Sequence, residues 1–248
     1  MIVEKTMSEG WLSNTYLVAD KPGGHAVLID TGGPMEPILR KIEALRLTLS
    51  HVLCTHHHID HVEHNAEYKT QFGCPICGHA RESGLFGDLD LEMEDGDELA
   101  SGGLRVRAVH VPGHTLGQLA FLVNEKRIFT GDTLFRRTVG GTRGPGHTSF
   151  EEIRESIMDK LMRLPREMPV HPGHTDATTI GEEWEENPFI RLWRGLDAST
   201  EKRCEALGRP ATLLLRAADY DGGTKCWVRF DEGNQLDIVA GSRVRDLD

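Results

Sequence analysis

The stretch Thr55-His56-His57-His58-Ile59-Asp60-His61 follows an apolar segment, His51 to Cys54, and leads into Val62 to Phe72 (VEHNAEYKTQF), which ends at Gly73. By pattern this is a strand, a loop and a helix. Side chains on extended backbone alternate in direction, so His56 and His58 point the same way. If the chain then turns into the helix, Asp60 and His61 swing to the opposite side of the same hole, where they can serve a second ion. So many imidazoles beside one carboxylate point to metal binding. A solvated histidine-rich loop and a purely structural metal site are the competing readings.

The chain has 248 residues, 38% of them hydrophobic, enough for one large domain or one domain with a small appendage. A net charge of -11 repels phosphate backbones and anionic membrane surfaces, so neither nucleic acid nor a membrane is expected as a partner. The first residues, MIVEKTMSEGWLSN, lack a basic segment followed by an apolar core, and nowhere do about 18 apolar residues run together. A soluble, cytoplasmic protein is expected. The cysteines Cys54, Cys74, Cys77, Cys204 and Cys226 are odd in number and thinly spread, which predicts reduced thiols. Cys74-Pro75-Ile76-Cys77, with His79 just beyond, admits a structural zinc or a redox pair. No second CxxC accompanies it, and its strand-like setting favours buried, inert thiols.

Around the histidine loop, Trp11 to Ala19 and His25 to Asp30 read as strands joined by the turn Lys21-Pro22-Gly23-Gly24, and Pro34 to Leu47 reads as a helix. Further strands are expected at Leu104 to Val111, Leu119 to Val123 and Arg127 to Thr130, after an acidic turn at Glu92 to Glu98. Phe150, Ile153, Ile157, Leu161 and Leu164 recur at helical spacing behind the candidate N-cap Ser149. A last helix is expected around Glu182 to Glu186. Beyond about Asp197 the texture changes to short β-like segments, Ala211 to Leu215, Lys225 to Phe230 and Asp237 to Val239, joined by glycine turns. The predicted division is a domain over 1-198 and a small β-rich module over 199-248.

A dinuclear hydrolytic site needs more ligands than one loop provides. Three strand ends offer them: Pro112-Gly113-His114-Thr115, Thr130-Gly131-Asp132-Thr133 and Pro172-Gly173-His174-Thr175. A glycine before each candidate ligand lets the backbone turn sharply and aim the side chain inward. Alone, each is ordinary turn chemistry; their joint occurrence in this order is the signal.

With these motifs in place, the chain resembles the metallo-β-lactamase superfamily, and within it the glyoxalase II-like hydrolases, over residues 1 to 198. The resemblance rests on HxHxDH at His56 to His61, PGHT at His114, GDTLF at Asp132 to Phe135, PGH at His174, and the run from Thr179 to Phe189. It implies an α/β (α+β) fold, an αββα sandwich of two sheets with helices outside and metals at one edge. It further implies that His56, His58 and His114 hold one ion, Asp60, His61 and His174 a second, and Asp132 bridges. His57, His64 and His171 then fall outside the ligand set, as bystanders or supports.

The implied cofactors are two divalent ions, zinc first with iron or manganese as alternatives, and the implied nucleophile is a hydroxide shared between ions roughly 3.5–4 Å apart. Asp60 would also orient that nucleophile or take its proton. The leading expectation is a thioester hydrolase similar to hydroxyacylglutathione hydrolase, acting on an acyl conjugate of a small cellular thiol. Arg136, Arg137 and Arg143, in the glycine-rich loop Arg136 to His147, are candidate contacts for a substrate carboxylate. The helical C-terminal domain of full-length glyoxalase II has no evident counterpart, because the tail here reads as β. A mono-iron persulfide dioxygenase, a lactonase or β-lactamase, and a metal-binding scaffold without turnover are the alternatives of the same fold. No motif specifies an oligomeric state.

Overall fold

The structure is a computed structural model and describes residues 1–87 and 89–247. These fall into two compact units. Met1–His110, Gly117–Gly131 and Val170–Thr175 form the first; Val111–Leu116, Asp132–Pro169 and the chain from Asp176 onward form the second.

The first unit is built on two sheets. One has six strands in chain order, β1 (Ile2–Met7), β2 (Asn14–Ala19), β3 (His25–Ile29), β4 (Thr48–Leu53), β5 (Ile76–His79) and β6 (Leu91–Met93). β1 to β3 are antiparallel, whereas β3 to β6 are parallel and are linked by crossovers that carry α1 (Met35–Leu45), α2 (Ile59–Val62), α3 (Asn65–Phe72) and α4 (Ser83–Phe86). The other sheet contains β7 (Glu98–Ser101), β8 (Leu104–His110), β9 (Leu119–Val123) and β10 (Arg127–Gly131), with Val170 to Pro172 running parallel to β10.

Alternation explains the layering. On β2, Tyr16 and Val18 face one side and join Val106, Ala108, Leu119 and Phe121 of the other sheet in one core. Leu17 and Ala19 face the opposite side and pack with Ile38 and Ile42 of α1 and Tyr68 of α3. β2 is therefore buried along its whole length, and each such large side chain contributes about 1.5–3 kcal/mol of hydrophobic stabilisation. β8 alternates instead: Leu104, Val106 and Ala108 are buried, while Arg105 is exposed. The expected sandwich of two sheets with helices outside is present, as is the mixed α/β class.

The second unit holds β11 (Leu134–Phe135), β12 (Thr138–Val139), β13 (Pro169–Pro172, only its first residue), β14 (Thr178–Thr179), α5 (Phe150–Glu155), α6 (Ile180–Glu186) and α7 (Pro188–Trp193). Ser149 caps α5 as expected, its hydroxyl accepting the Glu152 N–H at 3.2 Å. The predicted single helix to Leu164 is not regular, because a π-helical turn at Ser156–Lys160 and a 3-10 turn at Leu161–Arg163 complete it. The tail is β, as read: β15 (Lys202–Ala206), β16 (Arg209–Ala218), β17 (Thr224–Phe230), β18 (Leu236–Ala240) and β19 (Val244–Asp246) make a five-stranded sheet in the order β18-β17-β16-β15-β19. Its own core contains Cys204, Leu213, Cys226, Val228 and Phe230.

All five cysteines are buried and free, and burial pushes the Cys77 thiol up to about 12 and Cys226 up to about 11. That is the inert chemistry expected of the CxxC. Among the described residues no helix is long and apolar enough to cross a membrane.

Candidate metal centre

The parallel register aligns Ile29, Leu53 and Cys77, so the C-terminal ends of β3, β4 and β5 lie side by side. Asp30 leaves β3 with φ 56 and turns its carboxylate to the next strand end, accepting the Thr55 N–H at 2.7 Å and the Thr55 hydroxyl at 2.8 Å. Those bonds fix the start of the histidine loop. His56 is buried, and its Nε2 lies 3.0 Å from His58 Nδ1. His58 then sits at the N-cap position of the short helix α2, whose first turn carries Asp60 and His61. The turn into a helix, on which the sequence reading depended, is therefore present.

His61 is buried between two carboxylates, with Nδ1 2.9 Å from Asp30 Oδ2 and Nε2 3.4 Å from Asp60 Oδ2. His174 Nε2 approaches the same Asp60 oxygen at 3.5 Å. His174 is delivered by the turn after Pro172, which Asn14 pins by donating from Nδ2 to the Pro172 and Thr175 carbonyls, while the Tyr16 hydroxyl donates to Pro172 O at 2.8 Å.

Asp60, His61 and His174 place one ligand atom each within 4.8 Å of one another. Donors bound at about 2.0–2.1 Å around one tetrahedral ion stand about 3.4 Å apart, which matches the two distances to Asp60. The tautomer supports the same conclusion. With its Nδ1 proton directed at Asp30, His61 turns a lone pair toward an oxygen that is also an acceptor. A cation between them satisfies all three donors at once, whereas one proton satisfies a single contact. The donor set thus fits a metal ion, and Asp30 supplies the carboxylate support that metal-bound imidazoles usually have. Burial raises the pKa of Asp30, opposed by the His61 ring and the bonds from Thr55.

The second unit places His114 and Asp132 together, with His114 Nε2 3.5 Å from Asp132 Oδ2. His114 Nδ1 lies 2.9 Å from the Gly141 carbonyl, which fixes its proton there and leaves Nε2 as the electron-pair donor. Gly113 and Gly131, the residues before these two, take φ values of 139° and 48°, in the region that favours glycine; Gly173 is not among the positive-φ residues.

The remaining histidines have other surroundings. His57 Nδ1 is 2.8 Å from Glu82, a buried carboxylate that also accepts the Gly117 N–H at 2.7 Å. His64 lies 3.8 Å from both Glu63 and Glu67, and His171 stacks on Phe129 at 4.6 Å. Of the candidate arginines, Arg136 is exposed, Arg137 pairs with Glu186 and Arg143 pairs with Asp237. The sequence reading passed over Asp30, Glu82 and Gly141. Only Asp30 left a signal, as a carboxylate closing an apolar strand at the end where parallel sheets place their sites. Glu82 and Gly141 act through contacts no local pattern announces.

This fold and donor set define a class, the metal-dependent hydrolases of the metallo-β-lactamase fold, and the chain belongs to the metallo-β-lactamase superfamily, whose family profile matches residues 9–174. It is 37% identical to an uncharacterised protein of Mycobacterium tuberculosis over 71% of this chain and 92% of that one. It is 34% identical to the hydroxyacylglutathione hydrolase GloC of Haemophilus influenzae, over 67% of this chain and 87% of the relative. Among solved structures, ETHE1 from Myxococcus xanthus superposes with a TM-score of 0.67 at 28% identity, covering 81% of this chain and 93% of that one.

Proposed function

We propose that the protein hydrolyses a thioester of a small cellular thiol, with His56, His58 and His114 holding one divalent ion, Asp60, His61 and His174 a second, and Asp132 bridging. The observation that carries this reading is the convergence of Asp60, His61 and His174, with His61 held from behind by Asp30. The likeness to GloC supports the thioester as substrate class. In this reading the catalytic machinery belongs to residues 1–198 and the β module of 199–248 is an addition to it.

When bound, the ions supply Lewis acidity and a water whose pKa is lowered toward about 7. Zinc, iron and manganese all suit a mixed histidine and aspartate set. The protein's own part is positional. Asp30 and the Gly141 carbonyl fix the tautomers of His61 and His114, so that each presents Nε2. Asp60 is partly exposed, unlike its buried neighbours, and its carboxylate orients the attacking water and accepts its proton. A thiolate leaves readily, so no dedicated acid is required.

The test is to purify the protein, count its zinc, iron and manganese, and assay lactoyl thioesters beside a lactone, a β-lactam and a persulfide. Thioester cleavage with His58→Ala and Asp132→Ala each losing metal and activity is the expected result. Oxygen uptake with the persulfide and no thioester cleavage would falsify the proposal, and full activity in both variants would remove the ligand assignment.

A further inference from the structure

The C-terminal sheet does more than fold on itself. Within the second unit it walls a cavity of about 570 Å³, a volume typical of small-ligand sites. His114 and Asp132 line this cavity, and so do Phe135, Tyr220, Ile238 and Arg243. One surface thus joins two proposed metal ligands, an apolar wall, the cations Arg143, Lys225 and Arg243, and two further carboxylates, Asp219 and Asp221.

The cations differ in what they already hold. The Arg143 guanidinium donates to Asp237, whose carboxylate is buried. Lys225, also buried, donates from Nζ to the Val139 carbonyl at 2.8 Å and lies 3.1 Å from Asp219. Arg243 stands on the 3-10 turn Gly241–Arg243 after β18 and is exposed. Among the described residues, no carboxylate is recorded within ion-pair distance of Arg243. Of the carboxylates that line the same cavity, Asp132 faces His114, Asp219 lies against Lys225 and Asp221 accepts the Gly223 N–H, so among the described residues Arg243 is the lining arginine or lysine with no recorded ion pair.

We propose that this cavity receives the thiol-carrier half of the substrate and that Arg243 binds a carboxylate on that carrier. The inference rests on the thioester-hydrolase reading and deepens it. The reacting carbonyl lies at the end bearing His114 and Asp132, the carrier runs along Phe135, Tyr220 and Ile238, and its carboxylate meets the guanidinium, which forms paired bonds to a carboxylate. The β module thereby supplies a carrier site from strands.

The probes are the 2-hydroxypropyl thioether of N-acetylcysteine, which has the carboxylate but no cleavable bond, and the methyl ester of the same compound. Their binding to the metal-loaded protein is measured by ligand-observed NMR, in the wild type and in Arg243→Ala, Arg243→Lys and Arg243→Glu. The wild type should bind the acid on the order of tenfold more tightly than the ester, as a charge-assisted bond predicts. Arg243→Ala should abolish the preference, Arg243→Lys retain part of it and Arg243→Glu reverse it. Equal binding of the two by the wild type overturns the proposal, as does a preference that survives in Arg243→Ala. A wild type that keeps the preference yet cleaves no thioester removes the hydrolase reading and leaves the carboxylate site; turnover without the preference does the reverse.

Discussion

Asp30 is the residue whose removal best separates support from ligation. It contacts His61 Nδ1 at 2.9 Å and holds the loop at Thr55, while the proposed ligand atom of His61 is Nε2. Asp30→Asn keeps the shape and loses the charge, so it should cost 10- to 100-fold, roughly, in metal affinity or activity, the range seen when such supporting carboxylates are changed. Titration of the metal-free variant with zinc would show it, and wild-type affinity would end the argument. His58→Ala removes a proposed ligand outright, and its loss of metal should exceed that of Asp30→Asn. The seven proposed ligands were legible because histidine and aspartate followed recognisable strand ends. Asp30 was harder to see, since its role depends on the parallel register that brings β3 beside β4.

At the scale of elements, the sequence read best where burial imposes a period. β2, β3, β4, β8, β9 and β10 fell close to their expected spans, because apolar runs and alternation reflect two faces in contact with cores. β1, β15 and β19 escaped notice. IVEKTM, KRCEA and VRD are short and mix their apolar residues with charged ones, and they are strands because a neighbour supplies hydrogen bonds, as β2 does for β1 along its whole length. The helix expected over Val62 to Phe72 is broken instead into α2 and α3, so that Asp60 and His61 lie on a short turn of their own. The loop behind His114 shows how one element positions another. Thr142 donates its hydroxyl to Asp237 at 2.8 Å, accepts the Ile238 N–H at 3.0 Å and gives its own N–H to the Ile238 carbonyl. Next to it, the Gly141 carbonyl faces His114. Thr142→Val should leave the fold intact, lose about 1–3 kcal/mol through the buried groups left unsatisfied, and lower kcat more than it raises KM. Denaturant unfolding and steady-state kinetics measure the two effects; a change in KM alone would mean that the loop serves binding and not the orientation of His114.

For the molecule as a whole, acid should be the stress that matters. His171 is buried against Phe129 and Tyr16, and desolvation, aided by Arg127 and Lys5, lowers its pKa to about 4. Its unfolded value is near 6.5. Between these values the unfolded chain binds the proton and the native one does not. The contribution to stability is therefore complete above about pH 6.5 and is lost as pH falls toward 4, with a ceiling of about 3 kcal/mol. Urea midpoints at pH 7.5 and pH 5 should diverge in the wild type and draw closer in His171→Phe, while His79, whose pKa burial also lowers to about 4, keeps part of the gap; an unchanged gap would assign the acid sensitivity elsewhere. The sequence revealed the presence of His171 and the β character of the tail, but neither the burial of the one nor the cavity walled by the other, because both arise from segments far apart in the chain.

The bond between Thr142 and Asp237 spans 95 residues, and that separation has a kinetic consequence. Closing so large a loop is slow compared with pairing neighbouring strands, so the groove around His114 should be among the last parts of the molecule to settle during folding. The Thr142 amide, which β18 protects, reports that moment directly. In pulsed hydrogen exchange during refolding, its protection should lag behind that of β3 and β4, and enzymatic competence should return with it. Competence that returns before Thr142 is protected would mean that His114 can be set in place without the last strands. If it does not, the order of synthesis itself delays activity, because a ribosome must pass Asp237, 95 residues beyond Thr142, before the first PGHT loop is held in its working form.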